Sequence, residues 1–292
     1  MELLQQWLLT KYLKDTRIIS LCSFENPEKL PSITDGFDIL LIIVTHDHTY
    51  YNYTYHYIRD GLRIQERWFS VASVEKSTDT RKHQFLFQWI LKGNILIDHD
   101  NYLEGFCHRM LEFPNEIREK HLLIEFSVFL RRYLHSKECL VNEHILDAYN
   151  SILEALHQWA RIVVIEEGYH PEITIWRQVR IINPGVYKLY EELTMSKETI
   201  KQRVQLVLLA CEFSVISKME RCCKIIIRII ATGSGTWNID SLTNHPDLQQ
   251  VKSELPLLLN KLALKKLIYE IVDSNEPEHI ESELNYQYVE VN

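Results

Sequence analysis

The sequence has little of what loop-rich and disulfide-bonded proteins depend on. It holds only 8 glycines and 8 prolines in 292 residues, which argues against low complexity and against an all-β fold rich in turns. Its six cysteines form no CxxC pair, so neither a common zinc spacing nor a disulfide framework is indicated. We therefore expect reduced thiols in a cytoplasmic protein.

Signals for membranes and for nucleic acid are also weak. No apolar run approaches the roughly 18 residues of a transmembrane helix, and the amphipathic N-terminus lacks the basic region of a signal peptide. The formal net charge of −8 disfavours a protein that coats nucleic acid, although it leaves room for a local basic patch. We expect no membrane contact.

The first 114 residues mix helical and strand patterns. Residues 37–44 form a continuous apolar run behind Gly36, which is typical of a central strand buried on both faces. Arg59-Asp60-Gly61 separates two strand-like segments and predicts a hairpin. The predicted elements are helices over 2–14 and 81–92 and strands over 16–24, 37–44, 53–58, 62–71 and 94–97.

From residue 115 the pattern becomes helical. The predicted helices cover 116–135, 142–167, 171–182, 184–193 and 197–231. This change predicts an α+β chain with a mixed N-terminal domain over 1–114, an all-helical domain over 115–231 and a small winged helix over 232–292. We expect the acidic tail from Ser274 to be frayed.

Acidic residues stand at the mouth of the central strand. Asp35 and Asp38 precede the apolar run, and Glu66 is the odd polar residue on an apolar face of the second hairpin strand. Such carboxylates suit Mg²⁺, which phosphoryl and nucleotidyl transfer require. The alternative for Asp35 and Asp38 is an Asp-Gly turn at residues 35–36 together with a strand-start acid that caps local N–H groups, and the alternative for Glu66 is an ion pair with an arginine. The opposite face of that hairpin strand carries Arg63, Gln65 and Arg67.

The order of these elements resembles the polymerase-β-type nucleotidyltransferases, and among them kanamycin nucleotidyltransferase. The whole chain resembles the YgxA family of nucleotidyltransferase-like proteins, and residues 159–172 resemble that family's substrate-binding domain. The superfamily pattern has Gly-Ser and then Asp-x-Asp or Asp-x-Glu. Here Cys22-Ser23 stands at the first position and Gly36 at the first acid, so only a turn or bulge at Gly36 would let Asp35 and Asp38 converge.

The resemblance implies roles for particular residues. Asp35, Asp38 and Glu66 would hold Mg²⁺, while Ser23 and Gly36 would bind the nucleotide phosphates. Glu125 matches the general base on the first helix of the second domain. It lies at the edge of an apolar stripe, which suits a base, but a solvated helix edge or a salt bridge is the alternative. The candidate partners for that salt bridge are Lys120, Arg131 and Arg132.

Three further motifs resemble metal or active sites, but each has a structural interpretation. Asp98-His99-Asp100 is explained by a strand end followed by a helix N-cap. His46-Asp47-His48 follows a strand and is expected to face solvent. Glu166-Glu167-Gly168 is typical of a helix C-terminus with glycine beyond it.

The charges are distributed unevenly along the chain. Residues 173–231 carry ten Lys or Arg and five Glu, which indicates a solvated helix face or a basic wall facing a triphosphate. Residues 236–292 carry four Lys and ten acids, a balance that disfavours DNA binding without excluding it. The winged helix is therefore expected to serve packing or oligomerisation, and a homodimer stays open.

Two functions follow. The first is a nucleotidyltransferase that moves a nucleoside monophosphate from NTP–Mg²⁺ to a hydroxyl of an acceptor, either a small molecule or a macromolecule. The second is a catalytically inactive relative that senses a nucleotide or binds a partner through its winged helix. The identity of the acceptor and the preferred base do not follow from the sequence.

Overall fold

The computed structural model describes residues 2–25, 34–46, 53–76, 84–172, 174–233, 235–272 and 284–288. The chain forms two compact units, Met1–Pro114 and Asn115–Asn292. The expectation of an α+β chain is confirmed at this level, because a mixed sheet with helices is followed by a helical region.

The first unit is built around a five-stranded sheet. Its strands are β1 (Ile18–Glu25), β2 (Ile39–Thr45), β3 (Thr54–Arg59), β4 (Leu62–Ser70) and β5 (Asn94–Asp98). The helices among its described residues are α1 (Glu2–Tyr12), α2 (Val71–Lys76), α3 (Gln84–Lys92) and α4 (Tyr102–Glu112), with a 3-10 turn at His99–Asn101.

Strand β2 lies at the centre of the sheet, whose order is β3-β4-β2-β1-β5. It pairs antiparallel with β1 and parallel with β4. All seven of its residues are buried, which explains why its sequence is continuously apolar instead of alternating.

The two faces of the sheet are covered by different helices. On one face, Leu8 of α1 packs in a cluster with Ile64 and Trp68 of β4. On the other, the Cys22 thiol lies 4.0 Å from the carbonyl oxygen of Ile90 in α3. Because side chains alternate along a strand, every residue of β4 belongs to one of these two faces.

The predicted hairpin is present. Asp60 and Gly61 both adopt positive φ angles, 49° and 78°, as the two-residue loop of a tight hairpin requires. This loop fixes the pairing of β3 with β4, so that Tyr55 stands opposite Glu66.

The second unit begins with helices. They are α5 (Asn115–Val141), α6 (Ile145–Glu166), α7 (Ile175–Ile182), α8 (Pro184–Met195), α9 (Ile200–Ser214), α10 (Met219–Cys222) and α11 (Lys224–Thr232), with a 3-10 turn at Ile216–Lys218. The two longest, α5 and α6, pack against each other and carry most of the buried residues of this region.

The prediction of one helix over 197–231 is wrong. The chain leaves the α-helical path after Ser214 and again at Cys223. The apolar pattern could not reveal these breaks, because the buried residues keep a spacing of three or four across them. These residues are Cys211, Val215, Met219, Cys222, Ile226 and Ile230.

The C-terminal segment combines short helices with a second sheet. Its helices are α12 (Ile239–Asn244) and α13 (Leu255–Leu264), with a 3-10 segment at Pro246–Val251. Strands β6 (Trp237–Asn238), β7 (Tyr269–Val272) and β8 (Leu284–Gln287) form a sheet in the order β6-β8-β7. The expectation of a frayed tail therefore fails at β8, which is the middle strand.

Two of the expected absences can be compared with the structure. All six cysteines are free thiols, and five of them are buried. No helix in the described part of the chain is both long and apolar enough to cross a bilayer.

Candidate functional site

A tight turn shapes the mouth of β2. Asp35 and Gly36 adopt positive φ angles, 51° and 80°, and the Phe37 N–H donates to the Thr34 carbonyl over 2.9 Å. Gly36 reaches this left-handed conformation without strain, and aspartate tolerates it better than most residues. The turn that the sequence required for Asp35 and Asp38 to converge is therefore present.

Asp38 is used by the sheet itself. Its Oδ2 accepts the backbone N–H of Arg63 at 2.8 Å, and its own N–H donates to the Arg63 carbonyl at 3.0 Å. This reciprocal pair closes the first step between β2 and β4, immediately before their ladder begins at Ile39 and Ile64. The carboxylate thus satisfies a strand-end donor, as the alternative interpretation predicted.

Asp35 forms an ion pair with an arginine of β4. Its Oδ2 lies 2.5 Å from Nη2 of Arg67. The Arg67 Nε donates to the side-chain oxygen of Gln65 at 2.8 Å, and the guanidinium lies 5.1 Å from the ring centroid of Trp89. Gln65 in turn lies 3.1 Å from the His56 ring. These contacts hold the guanidinium at the mouth of the sheet.

Glu66 projects to the opposite face, among the residues covered by α1. Only 5% exposed, it accepts hydrogen bonds from the Tyr12 hydroxyl and, at 2.6 Å, from the Trp68 indole, and it pairs with Lys11 at 3.1 Å. Burial and the bond to Glu66 raise the pKa of Tyr12 well above its usual range, so this phenol stays a neutral donor. The predicted ion pair is present, but with a lysine instead of an arginine.

The structure therefore does not bring Asp35, Asp38 and Glu66 to one point. Side chains alternate along β4, so Glu66 and Arg67 project from opposite faces of the sheet. Asp35 is paired with Arg67 on one face, and Glu66 is paired with Lys11 on the other. Within the described ranges, no three acidic, histidine or cysteine side chains are grouped so as to hold a metal. Mg²⁺ needs converging oxygen ligands, and these carboxylates are already held by cations and N–H groups, so this donor set does not fit the ion.

The predicted phosphate-binding residues have mixed positions. The Ser23 hydroxyl is buried and donates to the Asn94 carbonyl of the neighbouring strand at 3.4 Å, so it serves the sheet. The turn that follows, residues 26–33, lies outside the described residues. Gly36 is half-buried, and a Cβ placed on it would meet open space.

Glu125 lies inside the helical unit instead of at the edge of an apolar stripe. It is 2% exposed, and its Oε1 accepts from Nε of Arg161 in α6 at 2.7 Å. The Arg161 side chain is only 10% exposed, so the two charges form a buried ion pair. A base must reach a substrate hydroxyl, and this arrangement instead commits Glu125 to joining α5 and α6.

The structural interpretation holds for Glu166-Glu167-Gly168 and in part for Asp98-His99-Asp100, where the strand-end Asp98, and not the N-cap residue Asn101, accepts the N–H groups of the helix start. Asp98 accepts the N–H groups of Leu103 and Glu104 at 2.9 and 3.0 Å, as an acid at a helix start does. Glu166 ends α6 and pairs with Lys218 at 2.7 Å. Of the third motif, Asp47 and His48 lie outside the described residues.

Sequence reasoning missed the cations that occupy this region. Arg67 and Lys11 carry the partner charges, yet neither was assigned a role. The alternation of β4 had already placed Arg63, Gln65 and Arg67 on one face. The missing information was that β4 pairs parallel with β2, which puts this face beside Asp35 and Asp38.

Comparisons with known proteins agree with this architecture. Residues 1–118 match the family model "Nucleotidyltransferase-like", and residues 119–218 match the "YgxA-like substrate binding domain". The YgxA protein of Bacillus subtilis (strain 168) is 31% identical over 250 residues, which are 86% of this chain and 85% of that protein. The crystal structure of a nucleotidyltransferase-like protein from Exiguobacterium sibiricum 255-15 superposes with a TM-score of 0.85 at 26% identity and covers 99% of both chains. The chain belongs to the YgxA-like family of nucleotidyltransferase-like proteins.

Proposed function

We propose that this protein is a degenerate nucleotidyltransferase that binds a phosphate-bearing nucleotide without a divalent metal. The observation that carries the proposal is the Asp35–Arg67 ion pair at the mouth of β2. In a metal-dependent site, acids hold a cation that in turn holds the phosphates. Here the protein itself supplies the cation, on a strand face that carries no acid.

The position of Arg67 suits an anion. Its fork of N–H donors matches phosphate geometry, and its side chain is 26% exposed, so a ligand can reach it. Asp35 is 63% exposed, so its pairing with Arg67 is screened by water and can be exchanged for a phosphate. Arg63 adds a second exposed guanidinium on the same face, 5.0 Å from the Phe37 ring.

Calorimetric titration with ATP tests the proposal. We expect binding in EDTA and about a 10- to 100-fold loss of affinity in Arg67→Gln, because a hydrogen bond to a charged group contributes roughly 1.5–3 kcal/mol. Arg17→Gln is the matched control. It removes the same charge, but Arg17 lies over the Trp68 ring, on the face covered by α1.

Two results would contradict the proposal. One is the absence of ATP binding both in EDTA and in Mg²⁺. The other is binding that requires Mg²⁺ and is lost in Asp38→Ala or Glu66→Gln, which would restore a metal-dependent site.

The second candidate is transfer of a nucleoside monophosphate to an acceptor hydroxyl, and the match to the nucleotidyltransferase-like family favours it. It would require the Asp35–Arg67 pair to separate and Glu66 to leave Lys11. Release of pyrophosphate from NTP–Mg²⁺ in the presence of an acceptor would support this reaction over simple binding.

We also propose a packing role for residues 232–292. Two short helices, α12 and α13, followed by the strands of the β6-β8-β7 sheet support the interpretation of this segment as a winged helix. Lys120 and Arg131 of α5 form ion pairs with Asp247 and Glu254, at 2.8 and 3.4 Å. Acids of this segment thus face the helical region, which supports attachment within the unit over DNA binding.

A further inference from the structure

A cavity of about 300 Å³ opens within the second unit, between α5, α9 and the end of α13. Its floor is apolar, formed by the buried side chains of Leu130, Ile216 and Met219. Leu264 forms part of its wall and is 68% exposed, which is unusual for a leucine at the end of a helix whose other leucines are mostly buried. The cavity therefore offers apolar surface to a small molecule.

The rim of the cavity is cationic. Lys137, Lys261 and Lys265 line it together with one acid, Glu212. Glu212 accepts from the Tyr133 hydroxyl and from Lys137 at 3.0 Å, and these two hydrogen bonds lower its pKa. Glu212 is thus an anion at neutral pH, and its charge is balanced by Lys137.

The other two lysines are not hydrogen-bonded to Glu212. Across the described part of the chain, neither Lys261 nor Lys265 makes an ion pair, although Lys265 is near enough to Glu212 for its charge to help lower the pKa of that carboxylate. They stand one turn apart at the end of α13, where cations suit the negative end of the helix but repel each other. The negative end of α13 accounts for lysines at this position, but it does not account for the apolar cavity beside them. The two lysines and the cavity together define a binding site.

We propose that this cavity binds a small organic anion with a compact apolar body. Its carboxylate or phosphate would lie between Lys261 and Lys265, and its apolar part would cover Leu130, Ile216 and Met219. The volume is at the lower end for ligand sites and holds roughly ten groups of the size of a water molecule. A medium-chain fatty acid or a bicyclic aromatic acid has this size, whereas a phospholipid does not.

Occupancy would join two parts of the unit. The floor comes from α5 and from the segment after α9, whereas Lys261 and Lys265 come from the end of α13. A bound anion therefore stabilises α13 against the helical region. None of the residues proposed to bind ATP lines this cavity, so the two proposals stand or fall separately.

Calorimetric titration of the full-length protein with decanoate, below its micelle-forming concentration, and with 1-naphthoate tests the inference. We expect at least one of them to bind and to slow amide hydrogen exchange in residues 255–268. Lys261→Gln/Lys265→Gln should weaken that binding about tenfold, since two partly exposed ion pairs are lost. Lys197→Gln/Lys252→Gln makes the same change of charge at two exposed lysines away from the cavity and should bind as the wild type does.

A probe without a charge and a probe without an apolar body complete the test. Decanol should bind more weakly than decanoate, and inorganic phosphate alone should bind weakly. The Leu264→Ser variant should bind decanoate more weakly than the wild type does. The inference is overturned if neither organic anion binds, if decanol or phosphate binds as tightly as decanoate, or if the two double variants lose affinity equally.

Discussion

At the scale of single residues, the chemistry of this fold turns on what lies beside Glu66. Its carboxylate is buried, and the ammonium of Lys11 reaches it from α1. That ammonium also lies 5.2, 4.4 and 4.9 Å from the ring centroids of Trp7, Tyr12 and Tyr57, so aromatic faces stabilise it further. The pair is thus a complete structural unit that needs no additional cation.

Substitution of Lys11 and of Glu66, one at a time, should show how much the stability of the protein depends on this ion pair. We expect Lys11→Met and Glu66→Gln each to lower the free energy of unfolding by about 1–3 kcal/mol, because each leaves a buried polar group with an incomplete set of partners. The double variant should lose less than the sum of the two, since both changes break the same interaction. Urea denaturation with a linear extrapolation measures all three.

The same measurement separates an ion pair from a metal ligand. Wild-type stability should not change between EDTA and millimolar Mg²⁺ at constant ionic strength. A Mg²⁺-dependent gain that disappears in Glu66→Gln would show instead that this carboxylate binds the ion.

At the scale of elements, β8 shows how an unremarkable stretch becomes structural. Leu284–Gln287 lies in a polar, acidic tail and has no long apolar pattern. Yet β6 and β7 each pair with β8 and stand on either side of it. Pairing between strands this far apart in the sequence depends on the tertiary fold that brings them side by side, not on local strand propensity.

A truncation after Val272 should therefore unfold the second sheet. We expect the amides of residues 269–272 to lose their protection from hydrogen exchange, because β7 no longer has its partner strand. A truncation after Tyr288 keeps β8 and is the matched control. Unchanged protection of β7 in the shorter protein would show that this strand does not depend on β8.

At the scale of the whole molecule, the chain divides at Pro114 into two units with separate cores. The first core is a sheet covered on both faces, with β2 fully buried. The second begins with the long α5 and α6 pair, joined internally by the buried Glu125–Arg161 ion pair. Each unit therefore has the apolar interior that independent folding requires.

Residues 115–292 expressed alone should fold. We expect a single cooperative thermal transition and a helical circular dichroism spectrum, because the buried residues of α5 and α6 pack against each other within this unit. In this fragment Arg161→Met should lower the free energy of unfolding by about 3–5 kcal/mol, since it removes the guanidinium that pairs with a buried carboxylate. Arg132→Met, which breaks an exposed pair with Glu154, should cost less than about 1 kcal/mol. A fragment without a cooperative transition would show that the second unit needs the first.

The sequence by itself determined the local elements of this protein and the faces of its strands. The apolar run predicts β2, the Asp-Gly pair predicts the hairpin, and alternation separates Glu66 from Arg67, because periodicities of 2 and 3.6 residues are properties of neighbouring residues. Only the tertiary structure decided what each charge meets. Glu66 finds Lys11 across 55 positions, Glu125 finds Arg161 across 36 and Asp35 finds Arg67 across 32. Which residues become partners depends on which strands and helices become neighbours. The burial of whole apolar faces decides that arrangement, and a local sequence pattern does not predict it.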